Sequence, residues 1–537
     1  MGAALILALV LALPGRATAH TVAVESARFG NTFVAGEAPA LAVRLTADAD
    51  RPVHGTLRVV ARDAYGAAAG RVRIPVELPA AGSGTWPFTL ATRRLGHFTI
   101  QVTLVGTGPR VRATATAGIV PPVADTDAGD SGVGYYVIPF ASELPQADAI
   151  AAQMRQFGIR WVRLAFNWVD DARRVRPDLA HPAWLDTAAL ERWVDAFRSQ
   201  GIDVLCVLFG TARWASSRPD DETVDNALIT YPAWGLAAPR DPADWERVVH
   251  TLAERLRGRV RDWELWNEPD SIYFWRSSAA EFATLVLTTA AAVRDVDPDA
   301  RLVLNFVNQG KQASALFQEQ VLDIAGAELD VLGWHYGDLE IIEAARALTP
   351  RLRPGATLWN TEAYGVPRRL ISRWLQQRAA GVERLFPFVY HLPADDAALG
   401  LIRFGLYPVN VDYTPRPDAI ALRTLSDLVG SATPRDSGEA GRGFLAYRFG
   451  NAEGDITALV DGNEPGLTWM PGSATVLRLA IPVGVRLVET IDLMGNRRLQ
   501  RVRGGRLRVP LLGVATFLRA DGGAPLTGVR VVSSRRR

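Results

Sequence analysis

Between residues 133 and 390, apolar strand-like runs alternate with stretches whose apolar residues recur at helical spacing, and no other feature restricts the possible folds as much. The runs are Val133–Phe140, Trp161–Phe166, Val204–Phe209, Trp263–Asn267, Leu302–Val307, Val331–Tyr336, Thr357–Thr361 and Arg384–Tyr390. Between them, 147–157, 187–200, 242–256, 279–296 and 368–380 read as amphipathic helices. A strand followed by a helix, repeated, implies βαβ units and a parallel sheet. Eight strands in roughly 300 residues match a (β/α)8 TIM barrel, in which reactive groups gather where the strands end at their carboxyl termini.

The flanks follow a different rhythm. From His20 to about Val120, short alternating segments such as Leu41–Leu45, Thr56–Val60, Arg71–Ile74 and His97–Leu104 are broken by Gly, Pro and Asp, which predicts an N-terminal β-sandwich over 20–120. Residues 121–131, with Pro121-Pro122 and an acidic, Gly-containing run, read as a linker, and the barrel is expected over 132–430. Alternating runs return in 431–537, where Asp492-Leu-Met-Gly495-Asn496 resembles a hairpin turn, and predict a small C-terminal β-domain. The closing Ser533-Ser-Arg-Arg-Arg537 reads as a frayed tail. The expected class is therefore α/β, a barrel flanked by two β-domains.

Residues 1–19 hold an apolar run, Ala3–Leu13, followed by Ala17-Thr18-Ala19, a small-x-small cleavage pattern. The run is too short to span a bilayer and predicts a signal peptide, with a secreted or periplasmic mature chain and no transmembrane segment. A formal net charge of +2 over 537 residues carries no footprint for nucleic acid or an anionic membrane. Cys206 is the sole cysteine and lies in an apolar run, so no intramolecular disulfide forms and the thiol is expected to be buried and inert.

Two stretches concentrate the chemistry. Trp263-Glu-Leu-Trp-Asn267-Glu268-Pro269-Asp270 delivers an Asn-Glu pair to the end of the fourth strand, where Pro269 cannot donate to a sheet ladder. Leu358-Trp-Asn-Thr-Glu362 repeats the arrangement on the seventh strand, followed by Tyr364 and Gly365. A lone strand-end glutamate is ordinarily a solvated rim charge. Two on different strands of one barrel are what glycosidic cleavage requires, one to protonate the leaving oxygen and one to attack the sugar or activate water. Glu264 and Glu383 are weaker candidates: Glu264 lies too deep on its strand to reach a substrate and suits an interior partner for an arginine. No His-Glu-x-x-His, cysteine cluster or Gly-x-Ser-x-Gly is present, and Gly132-Val-Gly134 lacks a third glycine, so neither metal nor cofactor is expected.

With Trp-Asn-Glu-Pro on strand four and Thr-Glu on strand seven, residues 132–430 resemble the retaining glycoside hydrolases of clan A, most closely family 39, the β-xylosidase, iduronidase and exopolysaccharide-hydrolase group. The resemblance implies that Glu268 is acid/base and Glu362 nucleophile, that Asn267 holds a sugar hydroxyl, and that Arg163 on the second strand keeps Glu362 ionised. The family often places His-x-Tyr at the sixth strand end; here His335 and Tyr336 are adjacent. Neighbouring strand residues face opposite sides, so one of the two, His335, is expected to face the site, with Tyr364 replacing the missing donor.

Of fifteen Trp residues, Trp168 and Trp214 lie in loops after strands two and three, with Trp234 and Trp275 nearby, and are expected to stack on sugar rings; Trp193, Trp245 and Trp374 are expected to pack inside. The expected partner is thus a poly- or oligosaccharide, cleaved by double displacement with carboxyl groups about 5 to 5.5 Å apart. Two alternatives remain: a non-catalytic carbohydrate-binding barrel serving exopolysaccharide assembly or export, and a transglycosidase.

Overall fold

The computed structural model describes residues 20–106, 110–123, 131–181, 183–224, 231–307, 312–336, 339–363, 370–392, 407–462 and 474–536. The expected signal peptide, most of the linker, Tyr364 and Gly365 lie outside the described residues.

Strands β1 (Thr21–Glu25), β2 (Thr32–Val34), β3 (Ala40–Thr46), β4 (Val53–Asp63), β5 (Ala68–Leu78), β6 (Ser83–Thr89), β7 (Gly96–Gly106) and β8 (Val111–Val120) form two sheets, ordered β1-β3-β6 and β2-β8-β7-β4-β5. Alternate residues of each strand turn inward, so Val43, Leu57, Val59, Phe98, Ile100 and Val102 share a buried core between the sheets.

Next come β9 (Gly134–Val137), β10 (Trp161–Asn167), β11 (Asp203–Phe209), β12 (Asp262–Leu265), β13 (Arg301–Phe306), β14 (Val331–His335), β15 (Thr357–Ala363) and β16 (Arg384–Pro387). Each lies parallel to the next, and a parallel bridge from Val133 to Leu385 joins the last to the first. Helices α1 (Ala147–Gln156), α2 (Ala188–Ser199), α3 (Pro242–Arg255), α4 (Ala279–Val296), α5 (Gln312–Ala325), α6 (Leu339–Leu348), α7 (Leu370–Ala379) and α8 (Pro417–Leu425) follow the strands in sequence. The helix starts are written locally. Asp241 accepts from the Ala243 N–H ahead of Pro242, and Ser278 with Glu281 forms a reciprocal capping box at α4. No helix among the described residues is long and apolar enough to cross a membrane.

The barrel interior is layered with the period of two that strands impose. Trp161, Leu205, Val303, Val331, Trp359 and Phe386 pack as a floor, with the Arg384 guanidinium over the Trp161 ring at 4.1 Å and the Trp359 ring at 4.5 Å. Glu383 belongs to this end, bonded to Trp359 Nε1 at 2.7 Å, and is remote from the strands' carboxyl ends. Two residues up from the floor stand Arg163, Asn305, Gly333 and Thr361; another two up from Gly333 stands His335. Cys206 is fully buried, and burial pushes its thiol up to about 12.

In the C-terminal region β17 (Thr433–Gly441), β18 (Phe444–Asn451), β19 (Gly454–Asp461), β20 (Ala474–Ala480), β21 (Leu487–Ile491), β22 (Arg497–Arg501), β23 (Arg506–Leu512), β24 (Ala515–Ala520) and β25 (Arg530–Arg536) make one antiparallel sheet. The 492–496 turn joins β21 to β22, with Asp492 Oδ1 accepting from the N–H groups of Met494 and Asn496 and Gly495 at φ 86°. Residues 533–536 of the expected frayed tail belong instead to strand β25. It pairs with β20, because the buried side chains of Val529 and Val531 bring it onto the same core as Leu477 and Leu479. The N-terminal sandwich clasps both neighbours: Gln153 on α1 donates to Thr32 Oγ1, and the backbone of Leu95 exchanges two hydrogen bonds with the Asn496 amide.

Candidate active site

The fourth strand ends earlier than expected, at Leu265, because Trp266 and Glu268 adopt left-handed backbone conformations at φ 63° and 46°. Non-glycine residues occupy that region only when their surroundings hold them there. Asn305 on β13 is the main restraint: its Oδ1 accepts from the Glu268 N–H at 2.8 Å and its Nδ2 donates to the Trp266 carbonyl at 3.0 Å. Trp266 Nε1 donates to the Phe274 carbonyl at 2.7 Å. Asp270 accepts from the Val307 N–H and from Gln318 Nε2, both at 2.9 Å, and so ties the loop to α5. Asn267 and Glu268 are thereby held together at the barrel mouth. Sequence reading passed over Asn305; the signal was an amide inside the apolar run Leu302–Val307. In Asn305→Ala both backbone groups lose their partner, and kcat is expected to fall about 100-fold with the protein still folded, since a displacement of roughly 1 Å costs that much; kinetics beside a thermal melt would check this.

Arg163 is fully buried and spends its fork on three neighbours. Nε donates to Glu264 Oε2 at 2.5 Å, one terminal nitrogen to Glu362 Oε2 at 3.0 Å and the other to Asn267 Oδ1 at 2.9 Å. The guanidinium lies 4.9 Å from the centre of the Tyr136 ring. Glu264 is thus the arginine's interior partner. With its oxygen taken, Asn267 keeps its NH2 group for a ligand.

At the sixth strand the expectation that only one of His335 and Tyr336 faces the site is overturned. The β14–β15 register shifts between Trp334 and His335, and Tyr336 takes φ 61°, so this bulge turns both side chains inward. His335 Nδ1 lies 2.8 Å from Glu268 Oε1, a contact that requires a proton between them. The Tyr336 hydroxyl donates to Glu362 Oε1 at 2.8 Å and is also hydrogen-bonded to Glu268. Tyr336 itself is the donor assigned to Tyr364, which lies outside the described residues.

Burial pushes the Glu268 carboxyl up to about 7, with the Asp270 charge adding to the rise and the Arg163 charge opposing it. Burial, rather than the neighbouring carboxylate, is therefore the main cause. Burial also raises Glu362, against the pull of His335, Arg163 and Tyr336 and with a push from Glu268. His335 is lowered by burial to about 4 and is neutral near pH 7, so at neutral pH the charge opposing the rise of Glu362 is that of Arg163.

Trp168 and Trp214 are not the open platforms expected of them. They are 1% and 8% exposed, packed edge to face at 5.7 Å, with Trp214 Nε1 bonded to Asp171 at 2.9 Å. Trp234 and Trp275 are buried as well, as are Trp193, Trp245 and Trp374. The loops fold back over the helices, and burying an indole removes far more apolar surface from water than leaving it at a rim.

Glu268, His335 and Glu362 are the one group, among the described residues, able to present three ligand atoms to a cation within 4.8 Å of one another. A metal there would have to displace the guanidinium from Glu362 and the proton shared by Glu268 and His335, so the donor set fits acid–base chemistry better than coordination.

The arrangement can be set beside known structures. A family 39 glycoside hydrolase from the gut symbiont Bacteroides cellulosilyticus WH2 superposes with a TM-score of 0.67 at 17% identity, over 92% of this chain and 100% of that one. The chain shares that enzyme's fold. A GH30 endoxylanase from Clostridium papyrosolvens C71 superposes less closely, with a TM-score of 0.53 at 11% identity over 73% of this chain and 98% of that one. No family model matches the sequence, and no curated protein matches it.

Proposed function

We propose that this protein is a retaining glycoside hydrolase, with Glu362 as nucleophile and Glu268 as general acid and then general base. The observation that carries the reading is two carboxylates from separate strands with unequal company. Glu362 is bonded to a guanidinium and a phenol, whereas Glu268 is bonded to no cation and faces a histidine that burial keeps neutral. Tyr336 has a single proton to donate. When Glu362 holds it, the phenol oxygen can only accept from Glu268, which must then bring its own proton. This supports a charged Glu362 and a protonated Glu268, the division of labour that double displacement needs.

Oxygens of the two carboxylates lie within 4.8 Å of each other. That supports retention, because inverting pairs stand about 6.5–9.5 Å apart to admit a water between them and the sugar. The shared fold with a family 39 hydrolase supports a carbohydrate substrate. In the first step Glu362 bonds to the anomeric carbon as the glycosidic C–O bond breaks and the Glu268 proton passes to the departing oxygen. In the second, Glu268 takes a proton from water, whose oxygen displaces Glu362. Asn267 is placed to donate its free NH2 group to a sugar hydroxyl, strengthening as charge develops in the ring. NMR of the first-formed product tests the reading: the anomer of the substrate is expected, and the opposite anomer would overturn retention.

A pH dependence follows from Glu268. The free enzyme is active while Glu268 is protonated, so kcat/KM is expected to fall as pH rises through about 7, and the alkaline limb is expected to vanish in Glu268→Gln. The same raised group makes the native state hold a proton that the unfolded chain loses near the ordinary glutamate value of about 4.3. Its penalty on stability is accordingly absent at low pH, grows above that value and is complete above about 7. Urea unfolding across that window checks the sign.

Two further elements belong to the proposal. The apolar run Ala3–Leu13 with Ala17-Thr18-Ala19 supports export and cleavage after Ala19, which mass spectrometry of the secreted chain would test. The change of sheet type near residues 132 and 430 supports a division into sandwich, catalytic barrel and C-terminal β-domain.

A further inference from the structure

Residues 431–537 hold sixteen Arg and no Lys against nine Asp and Glu, in a chain whose overall balance is only +2. The charges in this region are not evenly paired. Elsewhere in the sheet Arg519 and Arg497 meet Glu453 and Glu489, and Arg448 meets Asp436. On the adjoining strands β25, β20 and β23 the inward residues Leu477, Leu479, Leu507, Val509 and Val531 fill the core, and the opposite face carries arginines. Arg478 stands directly across from Arg508 on β23 and from Ser533 on β25; Ala480 stands between Arg506 and Arg530, and Val476 between Pro510 and Arg535. All five arginines are exposed, and among the described residues none of them pairs with a carboxylate. The three strands, ATVLRLA, RLRVPLL and RVVSSRR, contain no acidic residue.

Like charges facing each other across a sheet destabilise it, so an unrelieved array of five is a cost to the fold that a bound polyanion would offset. Neighbouring strands lie roughly 4.8 Å apart and alternate residues along a strand roughly 6.6 Å apart, which spaces the forked donors closely enough to engage several carboxylate or sulfate groups. The three strands hold no aromatic side chain on which a base could stack, so single-stranded nucleic acid finds nothing there to grip. A sheet face also offers no helix or two-stranded ribbon to enter a duplex groove.

We propose that this face is a non-catalytic attachment site for an anionic polysaccharide, holding the polymer through its repeated acidic groups while the barrel acts on carbohydrate. Only the choice of a glycan over other polyanions rests on the glycosidase reading. The test uses the full chain carrying Glu362→Ala, so that binding is measured without turnover, against polygalacturonate, heparin, neutral dextran, a DNA duplex and vesicles of phosphatidylserine with phosphatidylcholine. Binding to polygalacturonate or heparin but not dextran is expected, weakening steeply with salt because exposed charges are screened. Arg478→Glu/Arg508→Glu is expected to weaken that binding about tenfold with an unchanged melting temperature. A control pair of the same charge change, Arg58→Glu/Arg73→Glu, which face each other on exposed positions of β4 and β5, is expected to weaken it less than about twofold. An equal loss in the control would reduce the effect to net charge and overturn the proposal, as would tighter binding to duplex or vesicles, or no binding to either acidic glycan. Cleavage of a small neutral glycoside by chains with Glu362 intact reports on the barrel separately: its absence would sink the glycosidase reading while leaving the binding result to stand or fall by itself.

Discussion

Glu362→Ala is expected to reduce turnover by at least about 10⁴-fold while leaving the barrel folded. The carboxylate is the attacking group in the proposed chemistry, and no other described side chain is placed to take over: Glu264 is locked against Arg163 below the site, and Glu268 holds the leaving-group proton. Burial disfavours the charged Glu362 carboxyl, and Arg163 keeps Glu264 as its partner, so the variant is expected to melt close to the wild-type temperature even though it is inactive. Single-turnover kinetics with an activated aryl glycoside, alongside the melt, would check both halves. Activity at the wild-type level would remove Glu362 from its assigned role.

Arg163→Met is expected to cost about 3–5 kcal/mol of stability at neutral pH, the usual penalty for stripping the partner from a buried charge. Here the loss strands two acids, since Glu264 and Glu362 both depend on the same guanidinium. With the cation gone, the Glu362 carboxyl, which burial already raises, rises further above its value in the unfolded chain. The variant's native state then binds more protons than its unfolded state, so its stability is expected to be best preserved in acid and to fall further as pH rises. Urea titrations at several pH values would show the slope. Adding Glu264→Gln to Arg163→Met removes one stranded charge and is expected to recover part of the stability but none of the activity, because Glu362 still lacks the cation that keeps it ionised. That split separates support of the proposed nucleophile from support of the fold.

Much of this site was legible in the residues. Glu268 and Glu362 follow short apolar runs at the ends of the fourth and seventh strands, and the period of the pattern alone places such residues at a barrel's carboxyl-terminal rim. Arg163 on the second strand was reached through the family resemblance, as the cation beside Glu362, and Glu264 was read as an interior partner for an arginine. Three features were not. The inward turn of both His335 and Tyr336 depends on a one-residue slip between β14 and β15, and strand alternation read from sequence assumes no slip. The clamp by Asn305 joins residues 37 positions apart and exists only once β12 and β13 are neighbours. The tryptophans misled because a ring in a loop has the same sequence signature whether the loop stands open or folds back onto helices.

The order of elements, the closed parallel sheet and the two acids at its rim were determined by local patterning, since hydrophobic period and strand-end chemistry act over a few residues and survive any arrangement of the rest. The protonation of those acids, the partner each one has, and the gathering of arginines from three strands onto one face were decided by the tertiary structure. Those properties come from desolvation and from distances of a few ångströms between groups far apart in the chain, and neither exists until the chain has closed.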